Sequence, residues 1–196
     1  AERTSLMAEN RTERAPALLA SAEQWAEDAR WAERVDDIVG RGFDPKPLPC
    51  EILPDVLLGS LAEATDIDLL ASHGVTHVLN MASGICSTDA SFYGGRFVYK
   101  GIDADDDASY DLIAAHYDEC SAFLRECRAC GGKLFIHCYA GINRSGAMAI
   151  AFVVDEGQDL LSAARHCHER RGPICWNQGF QLQVTRFARA RGKLGL

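Results

Sequence analysis

Apolar positions along the chain fall into two alternating periods. From Ala17 to Val39, Leu18, Ala22, Trp25, Ala29, Ala32, Val35 and Val39 recur near helical spacing, and Gly40 and Gly42 stop the pattern. Residues 1 to about 14 are polar and read as a frayed end. Asp44-Pro-Lys-Pro-Leu-Pro49 then reads as a stiff, extended linker. Beyond it, short runs suited to strands appear at Val56–Leu58, Val75–Met81, Phe97–Ile102 and Lys133–His137. The last carries Leu134-Phe-Ile136 and is apolar throughout, as a central buried strand requires. Between these lie helical patterns over Ala62–Ser72, Leu112–Cys130, Ser145–Glu156, Asp159–Arg171 and Asn177–Arg191. Ser145–Glu156 is apolar nearly all round and is expected to be buried. Strands alternating with helices predict an α/β domain over residues 46–196. Its central, mostly parallel sheet has four or five strands flanked by helices, and residues 1–45 form a helical extension.

Composition narrows this only a little. The chain has 196 residues, 47% hydrophobic and 24% charged, as soluble globular domains do. A net charge of −8 gives no general attraction to nucleic acid or to anionic membranes, so neither is expected as a partner, and an anion site must build its positive potential locally. No apolar run approaches the ~18 residues of a membrane span, nor does Ala1–Asn10 carry the apolar core of a signal peptide; both point to the cytoplasm, with the nucleus left open. The eight cysteines are scattered, which reads as reduced thiols rather than a disulfide framework. Cys127 and Cys130 lack a second pair, and His166, Cys167 and His168 point different ways on a helix, so no metal or cofactor is implied. The Trp25 and Trp31 stripe is expected to dock on the domain.

Chemistry concentrates in one stretch. A buried strand ends at His137-Cys138, five residues follow (Tyr139, Ala140, Gly141, Ile142, Asn143), and Arg144-Ser145 open an apolar helix. A loop wound ahead of a helix N-terminus turns several backbone N–H groups into one concavity, an anion site. Gly141 permits the tight turn. Arg144 adds a planar fork that can hold two phosphate oxygens. Cys138 lies at the floor of that cradle, where the field that binds phosphate also favours a thiolate, an in-line nucleophile toward a phosphate monoester. Ser145 could donate a hydrogen bond to the sulfur. Protonation of the leaving oxygen needs a carboxylic acid, and Asp103-Ala-Asp-Asp-Asp107 offers four.

The run His137-Cys-Tyr-Ala-Gly-Ile-Asn-Arg-Ser145 resembles the protein tyrosine phosphatase signature. Glu51–Ser60 resembles the opening strands of dual-specificity phosphatases, Gly74–Ala82 their next helix-to-strand passage, and Asn177–Phe187 the start of their last helix. The resemblance covers roughly residues 48 to 190 and is nearest to the small atypical group typified by the VH1-related phosphatase. It implies hydrolysis of phosphotyrosine and phosphoserine/threonine in phosphorylated proteins through a covalent phosphocysteine. Counted from Tyr99-Lys-Gly-Ile102, it places the acid at Asp106, 32 residues before Cys138, with Asp105 as the alternative one residue away. It also gives Asn80 a role in bracing the phosphate loop, although a plain strand-end turn residue fits as well. Two rival readings are a phosphatase of RNA or phosphoinositides and a phosphoprotein-binding module. The loop lacks the lysines of lipid phosphatases, and intact Cys138, Arg144, Ser145 and Asp106 speak against a module without catalysis.

Overall fold

The computed structural model describes residues 2–40, 42 and 44–195, with side chains from residue 21 onward. Five strands form one sheet: β1 Cys50–Leu53, β2 Val56–Gly59, β3 His77–Asn80, β4 Val98–Gly101 and β5 Leu134–His137. Their spatial order is β1-β2-β5-β3-β4. Only β1 runs antiparallel to its neighbour; the pairs β2–β5, β5–β3 and β3–β4 are parallel. This is the expected mostly parallel α/β sheet. The added strand, β1, begins beyond the proline-rich linker and pairs Cys50 with Leu58.

Strand alternation splits the interior in two. Leu58, Leu79, Leu134 and Ile136 face a large core shared with α4 (Leu112–Ala129), α5 (Arg144–Asp155), α6 (Leu160–Arg171) and α7 (Gln178–Ala190). Leu57, Val78 and Phe135 face a smaller core completed by Leu70, Val75, Tyr93 and Phe97. Helix α5 is buried at every position from Arg144 to Val154, the consequence of its all-round apolarity. The helix expected over Ala62–Ser72 is two: α2 (Leu61–Ala64) and α3 (Ile67–Ser72). Ser60 and Glu63 cap α2 reciprocally, and Asp66 accepts a bond from the Leu69 N–H and so starts a new helix.

Helix α1 spans Glu2–Val39, so its backbone begins well before Ala17; the frayed end expected over residues 1–14 falls where side chains lie outside the described residues. Its second half packs on α6 and α7. Val35 and Val39 are fully buried, and Asp28 is clasped by Arg189 at 2.6 Å and Arg186 at 3.4 Å. Asp36 accepts a bond from Gln181 at 2.9 Å. Of the two tryptophans expected to dock, only Trp31 does; Trp25 is 65% exposed, and the contact with α7 one turn on is made by Asp28 instead.

Candidate active site

Strands β2, β5 and β3 end level with one another, at Gly59, His137 and Asn80. The crevice beyond the carboxyl ends of parallel strands is where α/β sheets place ligands. Residues 138–143 fill it and lead into α5, whose first residue is Arg144.

The loop's carbonyls all face away from its centre. Cys138 O accepts from His137 Nδ1 at 3.2 Å, Tyr139 O from the Leu61 N–H at 3.0 Å, and Ile142 O from the Cys175 N–H at 2.8 Å. Ala140 O and Gly141 O accept from Nη2 and Nε of Arg171 at 3.0 and 2.9 Å. Asn143 O takes the first intrahelical bond, from Ala147 N–H. With the carbonyls anchored outward, the N–H groups of Tyr139 to Gly146 turn inward, and among the described residues none of them meets a protein acceptor. That is the donor ring of an anion cradle. Gly141 is at φ +65°, and a Cβ there would lie 2.4 Å from Gly59 O, so the close passage of the loop over β2 requires glycine.

Cys138 lies at the base of this ring, 1% exposed, and Ser145 Oγ donates to its Sγ at 3.2 Å. Burial pushes the thiols of Cys50 to about 11 and of Cys120 and Cys175 to about 12, so these stay protonated near neutral pH and are poor nucleophiles. Burial likewise pushes the His137 imidazole down to about 4. It is therefore neutral at working pH and carries its proton on Nδ1, where Cys138 O accepts it.

Arg144 is 5% exposed; its Nη1 donates to Ala104 O at 3.1 Å, and its Nε makes no hydrogen bond among the described residues. The four aspartates separate clearly. Asp107 caps its own turn through Ser109, and Asp103 lies against Gly84. Asp105 is exposed. Asp106 alone reaches the cradle: its Oδ2 is 3.8 Å from Arg144 Nε and accepts from Asn143 Nδ2 at 3.2 Å. A strand-ended cysteine in a ring of inward donors, with an arginine fork and a facing carboxylate, fits in-line displacement at phosphorus.

A sequence model of the dual specificity phosphatase catalytic domain matches residues 56–190. The chain belongs to the dual specificity phosphatase family. With that membership it joins the cysteine-dependent protein phosphatases. Dual specificity protein phosphatase 1B of Arabidopsis thaliana is 33% identical over 141 residues, 71% of this chain and 81% of that one. Dual specificity protein phosphatase 1-B of Xenopus laevis is 32% identical over 71% of this chain but only 37% of its own length. The chain spans 60% of dual specificity protein phosphatase 19 and 20% of protein phosphatase Slingshot homolog 3, both of Mus musculus. The crystal structure of human DUSP28 superposes with a TM-score of 0.65 at 26% identity, covering 76% of this chain and 99% of that one.

Of the two expectations for Asn80, the strand-end turn residue is the one its bonds fit. Asn80, fully buried, donates to Thr88 O, Thr88 Oγ1 and Tyr99 OH and accepts from the Ala82 N–H. Those bonds brace the turn after β3, not the phosphate loop. The cause is geometric: the Asn80 side chain is turned toward β4 and the 82–88 segment, and only the backbone of β3 pairs with β5.

The loop's brace is Arg171, the last residue of α6. It is 5% exposed, holds two loop carbonyls, and lies close enough to Cys138 for the charges to interact. Truncation to alanine would leave the buried Gly141 carbonyl without its donor, at about 1–3 kcal/mol, and would free the more exposed Ala140 carbonyl as well. Arg171→Ala is expected to lower kcat/KM by at least about tenfold and to weaken vanadate inhibition in parallel. Steady-state kinetics with vanadate titration check this; unchanged vanadate affinity would show that the loop keeps its shape without the brace.

Proposed function

We propose that the chain hydrolyses phosphotyrosine and phosphoserine/threonine in phosphorylated proteins through a covalent phosphocysteine intermediate. The observation that carries this is Cys138 Sγ at the base of a ring of unengaged N–H groups, with Ser145 Oγ–H directed at it. A phosphate monoester in the ring has its phosphorus above the sulfur, and Arg144 spans two equatorial oxygens. The Cys138 thiolate forms an S–P bond as the P–O bond to the leaving group breaks, and Asp106 delivers its proton to the departing oxygen. Water then attacks phosphorus, its proton passes to the Asp106 carboxylate, and the S–P bond breaks. The Ser145 hydroxyl stabilises the thiolate that leaves. Tyr139 to Asn143 supply the backbone donors, and His137 holds the loop at its first carbonyl.

Residues 46–196 are the catalytic unit in this reading, with residues 1–45 an extension docked on it through Asp28, Asp36 and Val39. Cytosolic substrates suit it; no described helix is long and apolar enough to cross a membrane. Family membership supports protein substrates over RNA and phosphoinositides.

Asp106→Asn tests the reading. The amide keeps the shape but carries no transferable proton, so kcat should fall roughly 10²-fold or more. The loss in kcat/KM, which reads transfer to sulfur alone, should shrink for an activated aryl phosphate, whose leaving group departs unprotonated, and the alkaline limb of the pH–rate profile should flatten. If Asp105→Asn produces these effects instead, the acid is one residue earlier.

A further inference from the structure

Asp106 lies in a stretch without helix or strand between β4 and α4, yet both its oxygens are held. Asn143 Nδ2 donates to Oδ2 at 3.2 Å, and Asn177 Nδ2 donates to Oδ1 at 3.1 Å. The triangle closes on its third side, because the Asn177 N–H donates to Asn143 Oδ1 at 3.1 Å. Asn177 is fixed independently: its own Oδ1 caps α7 by accepting from Gly179 and Phe180 N–H at 3.0 and 3.3 Å. The rotamer that caps the helix is therefore the one that aims the amide at Asp106. The same helix end presses on the acid loop's backbone. A Cβ on Gly179 would lie 1.9 Å from Ala108 O, so α7 reaches residues 106–108 only because position 179 is glycine. Ala104 O, two residues upstream of the acid, is tied to Arg144 Nη1 at 3.1 Å.

We propose that Asn177, acting with Asn143, is a positioning residue that locks the Asp106 carboxyl over the phosphate cradle. This rests on the reading of Asp106 as the proton donor. As the proton moves to the leaving oxygen, a carboxylate forms, and amide donors already aimed at both oxygens stabilise that charge without rearrangement. The clamp also joins the acid to the phosphate loop and to the last helix, so the acid is seated before substrate arrives.

Two substitutions separate this role from helix capping. Asn177→Ser and Asn177→Asp both keep a side-chain oxygen for the α7 cap, and neither can donate an amide N–H to Asp106. With Asn177→Ser, kcat/KM toward phenyl phosphate should fall about tenfold, a fraction of the full general-acid effect, while an aryl phosphate with a strongly acidic phenol loses markedly less. With Asn177→Asp, a second carboxylate stands beside Asp106; like charges hold a proton more tightly, so the alkaline limb of the pH–rate profile should move to higher pH. Melting temperatures of both should stay near wild type. Asp106→Asn is run alongside. If it steepens the leaving-group dependence and neither Asn177 variant does, the clamp is overturned while the acid stands. If Asp106→Asn itself leaves the dependence unchanged, the acid assignment falls and the clamp with it. If both Asn177 variants slow the two aryl phosphates equally with no shift of the alkaline limb, Asn177 acts through folding alone and the proposal is wrong.

Discussion

Cys138→Ser is expected to remove turnover while leaving phosphate-analogue binding largely intact. Serine places an oxygen where the sulfur was, and the donor ring of residues 139–146 does not depend on the sulfur for its shape: its carbonyls are held by Arg171, Leu61, Cys175 and His137. What disappears is the nucleophile. A hydroxyl stays protonated near neutral pH, and no group in the site is placed to take its proton, since the His137 ring is directed at its own loop carbonyl and is neutral. The drop should be roughly 10⁵-fold or more, the scale on which loss of a covalent nucleophile is felt. Stopped-flow kinetics on an aryl phosphate together with isothermal titration of vanadate check both halves. Residual activity within about tenfold of wild type would end the covalent mechanism.

The second large effect is expected from Arg144→Lys, a change that conserves charge. The guanidinium is buried, spends Nη1 on Ala104 O, and leaves Nε without a hydrogen bond among the described residues, Asp106 Oδ2 standing 3.8 Å away. A buried donor with no partner is costly unless a ligand completes it. Two equatorial phosphate oxygens would do so, and the planar fork matches them best when phosphorus is trigonal-bipyramidal. Lysine presents one ammonium in place of that fork and cannot hold Ala104 O and both oxygens at once. We expect kcat to fall roughly 10²- to 10³-fold, the range seen when a transition-state donor is removed. The split between kcat and KM decides the role: if KM alone rises, Arg144 binds substrate and transition state equally, and its assignment here is wrong.

How far the sequence carried these conclusions differs by residue. The order of chemistry along β5, the loop and α5 was legible because it is local: an apolar strand, His137-Cys138, a glycine where φ must be positive, then Arg144-Ser145. Helices α4 to α7 were legible because their apolar patterns are long, and Asp159 and Asn177 mark the starts of α6 and α7 as side-chain caps. Strand β1, with exposed Glu51 in its Cys50–Leu53 run, entered through family resemblance alone. The break between α2 and α3 turned on Asp66, whose capping bond competes with helix continuation and does not alter the apolar pattern. Arg171 and Asn177 were missed as site residues for one reason: each acts across a gap of about thirty residues or more, by hydrogen bonds to a loop that sequence spacing does not connect to it. Asn80 shows the reverse case. A residue beside the loop in the sheet spends its side chain elsewhere, and only its rotamer reveals that.

The central claim is that phosphorus passes through the Cys138 sulfur. The most direct measurement is rapid-quench mass spectrometry of the Asp106→Asn variant mixed with an activated aryl phosphate. That substrate phosphorylates the enzyme without help from the acid, whereas hydrolysis of the intermediate wants Asp106 as base. The account predicts one phosphoryl group per molecule, on the peptide bearing Cys138, formed in a burst with the released phenol and absent from Cys138→Ser. No adduct, or an adduct on any other residue, would contradict it.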